Sequence, residues 1–166
     1  MMRRLPFLLA VALVATACPF EVAGPRTDLE GLPDGLEVTL EVEPQVVAPH
    51  APFTATLSVR NRTAEPISVT TASTCLAVLH VLRDGRRIPF QGSEWGCGDA
   101  ISTHVIPPGE TRTLTWNVRA ELYAEEPDDP EGAPAPRGIY WVQAQFDVHV
   151  PGVPDKPSVV TMLRVR

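Results

Sequence analysis

From Leu36 onward the apolar residues of this 166-residue chain fall on every second position, a pattern that leaves few folds open. Leu36, Val38, Leu40 and Val42 alternate with Glu37, Thr39, Glu41 and Glu43. After the break from Pro44 to Pro52, Phe53, Ala55, Leu57 and Val59 alternate with Thr54, Thr56, Ser58 and Arg60. Successive side chains of an extended backbone point to opposite faces, so each run reads as a strand with one buried and one wet face. A helix would need spacings of three and four. The period also fixes register, because a slip of one residue would turn the whole apolar row to water.

The alternation continues through Ile67 to Thr71, and then Leu76 to Arg83 carries apolar residues on both parities, which predicts a central strand covered on both faces. Asp84-Gly85 follows, with Arg86-Arg87-Ile88 returning beyond it, a strong hairpin signal. Further strands are predicted over Ile101 to Ile106, around Leu114, Trp116 and Val118, along Tyr140, Val142, Ala144, Phe146 and Val148, and over Val159 to Val165. Seven or eight short strands, broken by Pro, Gly and Asn/Asp turns and with no helical period, predict an all-β domain: an immunoglobulin-like antiparallel β-sandwich.

The N-terminus has a different logic. Arg3 and Arg4 precede the apolar run Leu5 to Val14, and small residues lead to Cys18, the layout of a cleavable signal peptide. That run is far short of the roughly 20 residues a membrane-crossing helix requires. The stretch Leu13 to Cys18 resembles the lipobox of bacterial lipoproteins. The resemblance implies cleavage before Cys18 and acylation of its thiol, hence an exported protein held by lipid in a bacterial cell envelope. Ala15-Thr16-Ala17 also fits an A-x-A cut that would release a soluble product. Cysteine parity favours the lipid: with three cysteines in an oxidising compartment, Cys75 and Cys97 can pair and Cys18 is left over. The chain therefore divides into a signal peptide (1–17), a lipidated cysteine with a breaker-rich flexible tether (18–35) and one sandwich domain (36–166). Loss of Arg3 and Arg4 reduces the basic residues from 14 to 12 against 20 acidic ones, and the net charge moves from −6 to about −8. Such a surface argues against nucleic acid as a partner.

From Phe53 to Phe146 the chain resembles the BsuPI-like family, named for a Bacillus intracellular proteinase inhibitor. The resemblance rests on Phe53 to Asn61, on Val81-Leu82-Arg83-Asp84-Gly85, on Ile106-Pro107-Pro108-Gly109-Glu110 and on Gly138-Ile139-Tyr140-Trp141-Val142. It implies an Ig-like fold and, by name, inhibition of a protease. The export signal and the pair Cys75, Cys97 depart from the family.

Several residues stand out as candidate sites. A Cys75–Cys97 disulfide would pin the glycine-rich segment 91–98 to the sheet, and that segment is the one an inhibitor would present to a protease cleft. Trp95 lies in it. Ile139 and Trp141 have the parity opposite to Tyr140, Val142 and Phe146, which puts them on an outer face as candidate contacts for a protein partner, unless a loop or the tether packs over them. The acids Glu125-Glu126, Asp128-Asp129 and Glu131 lack calcium-loop spacing and read as a solvated loop. His50, His80, His104 and His149 are scattered, with no H-E-x-x-H, C-x-x-C or G-x-S-x-G to organise them, so neither enzyme, metal nor cofactor is expected. Asn61-Arg62-Thr63 fits a glycosylation sequon, which carries little meaning in a bacterial protein. The function expected is a lipid-anchored binding or scaffolding module for protein partners, with proteinase inhibition through residues 91–98 as the alternative.

Overall fold

The computed structural model describes residues 24–93, 96–123, 132–148 and 156–166. Among these the chain forms ten strands and no helix. Eight strands have five residues or more: β1 (Leu36–Glu43), β3 (Pro52–Asn61), β4 (Ile67–Thr71), β5 (Ala77–Arg83), β7 (Ser102–Ile106), β8 (Thr111–Arg119), β9 (Gly138–Phe146) and β10 (Ser158–Val165). Two are two-residue strands, β2 (Val46–Val47) and β6 (Arg86–Arg87). The Ig-like β-sandwich expected from the sequence is therefore present; β6 is the expected return of the Asp84-Gly85 hairpin, and the short edge strand β2 is additional.

One sheet has the order β1-β3-β8, a second β2-β10-β9-β5-β6, and β4 pairs with β7. Every pairing is antiparallel except that of β2 with the end of β10. The alternation explains the layers. Phe53, Ala55, Leu57 and Val59 of β3 are buried, and so are Tyr140, Val142, Ala144 and Phe146 of β9. The two rows meet across one core with Trp116, Phe90 and Leu163. Phe90 lies edge-on to Phe53 at 6.3 Å and against Tyr140 at 5.1 Å between ring centroids. Each such side chain contributes roughly 1.5–3 kcal/mol of apolar burial, so a slipped register on β3 alone would forfeit most of a domain's net stability.

Turn chemistry agrees with the sheet. Asp84 and Gly85 both take positive φ (51° and 74°), as the tight turn joining β5 to β6 demands. Asn61, at the end of β3, is fully buried and fully used. Its Nδ2 donates to the carbonyls of Glu65 (2.7 Å) and Ile106 (2.9 Å), and its Oδ1 accepts from the Thr63 backbone N–H and hydroxyl. The sequon asparagine is thus a structural clamp between β3, β4 and β7 with no side chain to offer a glycan.

Three expectations need correction. β5 lies next to the edge, between β9 and β6, although Leu82 is buried on the outer face as a two-sided strand requires. Ile101 stands outside β7 and is 81% exposed, because β4 ends at Thr71, opposite Ser102, and gives it no partner. Residues 24–35, expected as free tether, are docked on the domain. Asp28 exchanges two backbone hydrogen bonds with Ser158 on the edge of β10, and Thr27 Oγ1 accepts from the Val160 N–H at 3.1 Å. An unpaired edge of β10 is satisfied in this way, which a breaker-rich composition does not reveal.

Candidate functional site

The outer face of the five-stranded sheet follows directly from the registers, since residues directly opposite each other share a face. Met162 of β10, Trp141 of β9, Leu82 of β5 and Arg87 of β6 form one transverse row. Val46, Arg164 and Ile139 form the row beside it, and Val160, Gln143 and His80 the row on the other side. Val46, Ile139 and Met162 are three of the six exposed large hydrophobic residues among those described. Met162 lies beside Trp141 and diagonal to both Val46 and Ile139, while Arg164 stands between those two, so the face carries an apolar patch with one cation set in it, the kind of surface that marks a contact site.

Trp141 is half-buried because the N-terminal segment crosses it. A Cβ built on Gly24 would overlap the indole, so this approach requires glycine. Gly24 and Pro25 form one wall of a groove of about 620 Å³ whose other walls include Leu82, Gly85, Ile139 and Trp141. Ile139 and Trp141 lie on the outer face, and the supposed tether covers part of Trp141.

Arg83 supports this corner from beneath. Its guanidinium lies 5.3 Å from the Tyr140 ring centroid and its Nη1 donates to the Tyr140 hydroxyl at 3.2 Å. That hydroxyl donates in turn to the Pro136 carbonyl at 2.6 Å. A tyrosine tied back to backbone four residues upstream is the tyrosine corner of Ig-like sandwiches, and here it aims β9 so that Ile139 and Trp141 point outward.

Cys75 and Cys97 form a disulfide with Cα atoms 5.5 Å apart. The Gly98 N–H donates to Thr74 Oγ1 and the Thr74 N–H to the Gly98 carbonyl, so this end of segment 91–98 is held three ways. At the other end the Gln91 N–H donates to the Glu121 carbonyl, and the Arg119 N–H to the Gln91 carbonyl. Trp95 lies outside the described residues, as does the acidic run 125–131.

Glu121 is the residue that sequence reasoning missed. It is buried, with its carboxylate accepting from the Gly132 N–H (2.9 Å) and Arg119 Nε (3.2 Å) and lying 3.3 Å from His50 Nδ1. Burial acts to raise its pKa, but the bonds from His50, Arg119 and Gly132 outweigh it and hold the carboxyl below the usual range. It closes the base of the long loop after β8. The one signal in the sequence is parity, since Glu121 breaks the alternation that ends at Val118 and Ala120.

The histidines do not converge on a reaction centre. His104 is buried, 3.1 Å from Thr71 Oγ1, and burial with nearby Arg112 lowers its pKa. His80 sits on the sheet's outer face, where burial and Arg87 lower its pKa more than its bond with Gln145 raises it. Asp147 is paired with Lys156, and His149 lies outside the described residues. Among the described residues no three His, Cys, Asp or Glu side chains gather as a metal site. Cys18 also lies outside them.

Comparison with protein-family models gives no match, and comparison with curated proteins finds no relative. Solved structures give distant likenesses. A β-glucosidase from Listeria innocua in complex with glucose aligns with a TM-score of 0.45 and 10% identity over 78% of this chain and 16% of its own. A β-glucosidase from Erythrobacter marinus aligns with 0.46 and 12% identity over 79% and 15%. The CARDB domain of a Pyrococcus furiosus protein, solved with di-metal ions, aligns with 0.39 and 16% identity over 81% and 92%. The chain thus spans about a sixth of the length of these glucosidases. The sandwich rests on the strand order and registers above, and none of these likenesses carries an activity to this chain.

Proposed function

We propose that this protein is a lipid-anchored component of a bacterial cell envelope whose Ig-like domain is a binding or scaffolding module for protein partners. The observation that carries the reading is the placement of the chain behind Cys18. Only residues 19–23 separate that cysteine from Gly24, which is already fixed on the sheet. An acylated Cys18 would hold the domain itself, rather than a long leash, at the membrane surface. The module reading agrees with an all-β domain whose described histidines are each engaged in separate local contacts and share no nucleophile.

Two measurements test it. Mass spectrometry of the mature N-terminus should show an acylated Cys18, and Cys18→Ser should move the protein from the membrane to the soluble fraction. Cross-linking in intact cells should then trap protein partners with the wild type and few with Cys18→Ser. An unmodified N-terminus at residue 18 would return the protein to simple secretion. Absence of any cross-linked partner would remove the scaffolding role.

A further inference from the structure

Resting on the anchored reading of Cys18, we infer that the outer face of the β2-β10-β9-β5-β6 sheet, centred on Trp141, is the side of the domain that lies against the lipid surface. The length of the chain points there first. Residues 19–23 can separate Cys18 from Gly24 by no more than roughly 20 Å however they run. Gly24 rests on the Trp141 indole, and Asp28 is bonded to the edge of the same sheet. The anchor is therefore leashed to this face. The opposite outer face, on β1, β3 and β8, lies beyond the core of the sandwich, with the two backbones about 10 Å apart and side chains added on both sides.

Side-chain chemistry points the same way. Val46, Ile139 and Met162 are exposed around Trp141, and an indole flanked by aliphatic groups suits the boundary between headgroups and acyl chains. Charge gives the third argument. On this outer face the strands carry Arg87 and Arg164 and no Asp or Glu, while Arg83 and Arg86 have the opposite parity. Across the sandwich, Glu37, Glu41 and Glu43 project to solvent from β1, with Arg60 of β3 opposite Glu37 and Arg119 exposed on β8, so that face carries mixed charge. The chain is acidic as a whole, yet the strand positions of this face carry only cations, and Asp84 of the β5–β6 turn is the one acid lining the groove beside Trp141. Anionic headgroups would attract the Trp141 face in preference to the mixed β1-β3-β8 face, which leaves the β1-β3-β8 side open to proteins.

The test uses full-length acylated protein in vesicles of phosphatidylethanolamine and phosphatidylglycerol. A fluorophore is placed through Met162→Cys or, on the opposite sheet, through Thr115→Cys, and quenched by lipids spin-labelled at the headgroup. Quenching at position 162 is expected to exceed that at 115 by about three-fold or more, and Ile139→Glu in the 162-labelled protein should shrink the difference by opposing attraction to the surface. Equal quenching at both positions, in protein that floats with the vesicles, overturns the proposed orientation and leaves the anchor intact. Protein that carries no acyl group and does not float would instead refute the anchor and the orientation together. A photoreactive residue at position 162 supplies a second readout in intact cells: adducts with lipid support the orientation, and a protein adduct overturns it.

Discussion

The Tyr140 hydroxyl donates to the Pro136 carbonyl at 2.6 Å while its ring stays fully buried, so one side chain fixes both the core and the entry of β9. Tyr140→Phe keeps the ring and removes that bond together with the one from Arg83. A loss of about 1–2 kcal/mol is expected, read as a lower urea midpoint at unchanged slope. A midpoint equal to wild type would show that the corner does not contribute to stability.

Asn61 should prove more costly to replace. Asn61→Ala removes the side-chain partner of the Ile106 carbonyl and the Thr63 N–H, while the Glu65 carbonyl keeps only the Thr63 hydroxyl. Roughly 2–3 kcal/mol of stability should disappear, because the backbone groups left behind lose a bond and gain no water where they are buried. Produced in a glycosylating host, the folded wild type should carry no glycan at Asn61, and intact mass reads this directly.

Cys75→Ser with Cys97→Ser frees a segment closed over a sequence separation of 22 residues. The chain-entropy estimate for a loop of that length is about 3 kcal/mol. Urea unfolding of the double variant against oxidised wild type tests it. The loss should be accompanied by faster hydrogen exchange at Gly98, whose N–H is held by Thr74. A stability change without a local exchange change would mean that the bridge acts on the unfolded chain alone.

Acid should weaken the fold in two stages. His80 and His104 have pKa values lowered from 6.5, so the unfolded chain binds protons more readily than the folded one just below that pH. Their contribution is full above 6.5 and falls as pH drops through the folded values. Glu121 and Asp147 are likewise held below 4.5 and 3.8, where burial is outweighed by His50, Arg119 and Gly132 for the first and by Lys156 and Ser73 for the second. Their share is present above the unfolded carboxylate values and lost below them. Urea midpoints measured from pH 7.5 to 3.5 should fall monotonically, with the upper stage reduced in His104→Asn and the lower stage in Glu121→Gln. A midpoint that rises on acidification would contradict the directions of all four shifts.

Gly24→Val places a side chain where the Trp141 indole already lies. The N-terminal segment should lift from the sheet, and the Val160 N–H, which donates to Thr27, should exchange faster while core amides of β9 stay protected. Unchanged exchange at Val160 would show that the segment is held independently of Trp141.

These residues also show what could be read from the sequence and what could not. Strict alternation located β1, β3 and β9 and placed Ile139 and Trp141 on an outer face, because a period of two is a local property of the chain. The Asp84-Gly85 turn was legible for the same reason, since positive φ at two successive positions restricts residue type. Pairings between distant segments left no local trace. Nothing near Val46 announces its parallel partner Arg164, and nothing near Gly24 announces an indole 117 positions later in the chain. The burial of Glu121 depends on three donors from separate segments, two of them far from it in sequence, so its parity was legible and its partners were not. The patch around Trp141 was half legible: its parity was local, but the company of Val46 and Met162 required the strand order.

The long edge of β10 is closed in two pieces, by Asp28 at Ser158 and by Val46 and Val47 at Arg164 and Val165, while the far edge of the same sheet ends in the two arginines of β6. Proteins confined to a membrane meet one another far more often than the same number free in solution, and an open strand would invite copies to zip together side by side. Here a neighbour arriving from one side finds much of that strand already paired, and from the other it meets like charge. Were the chain anchored through Cys18 as proposed, crowding on the membrane would find neither edge of this sheet open for copies to pair along.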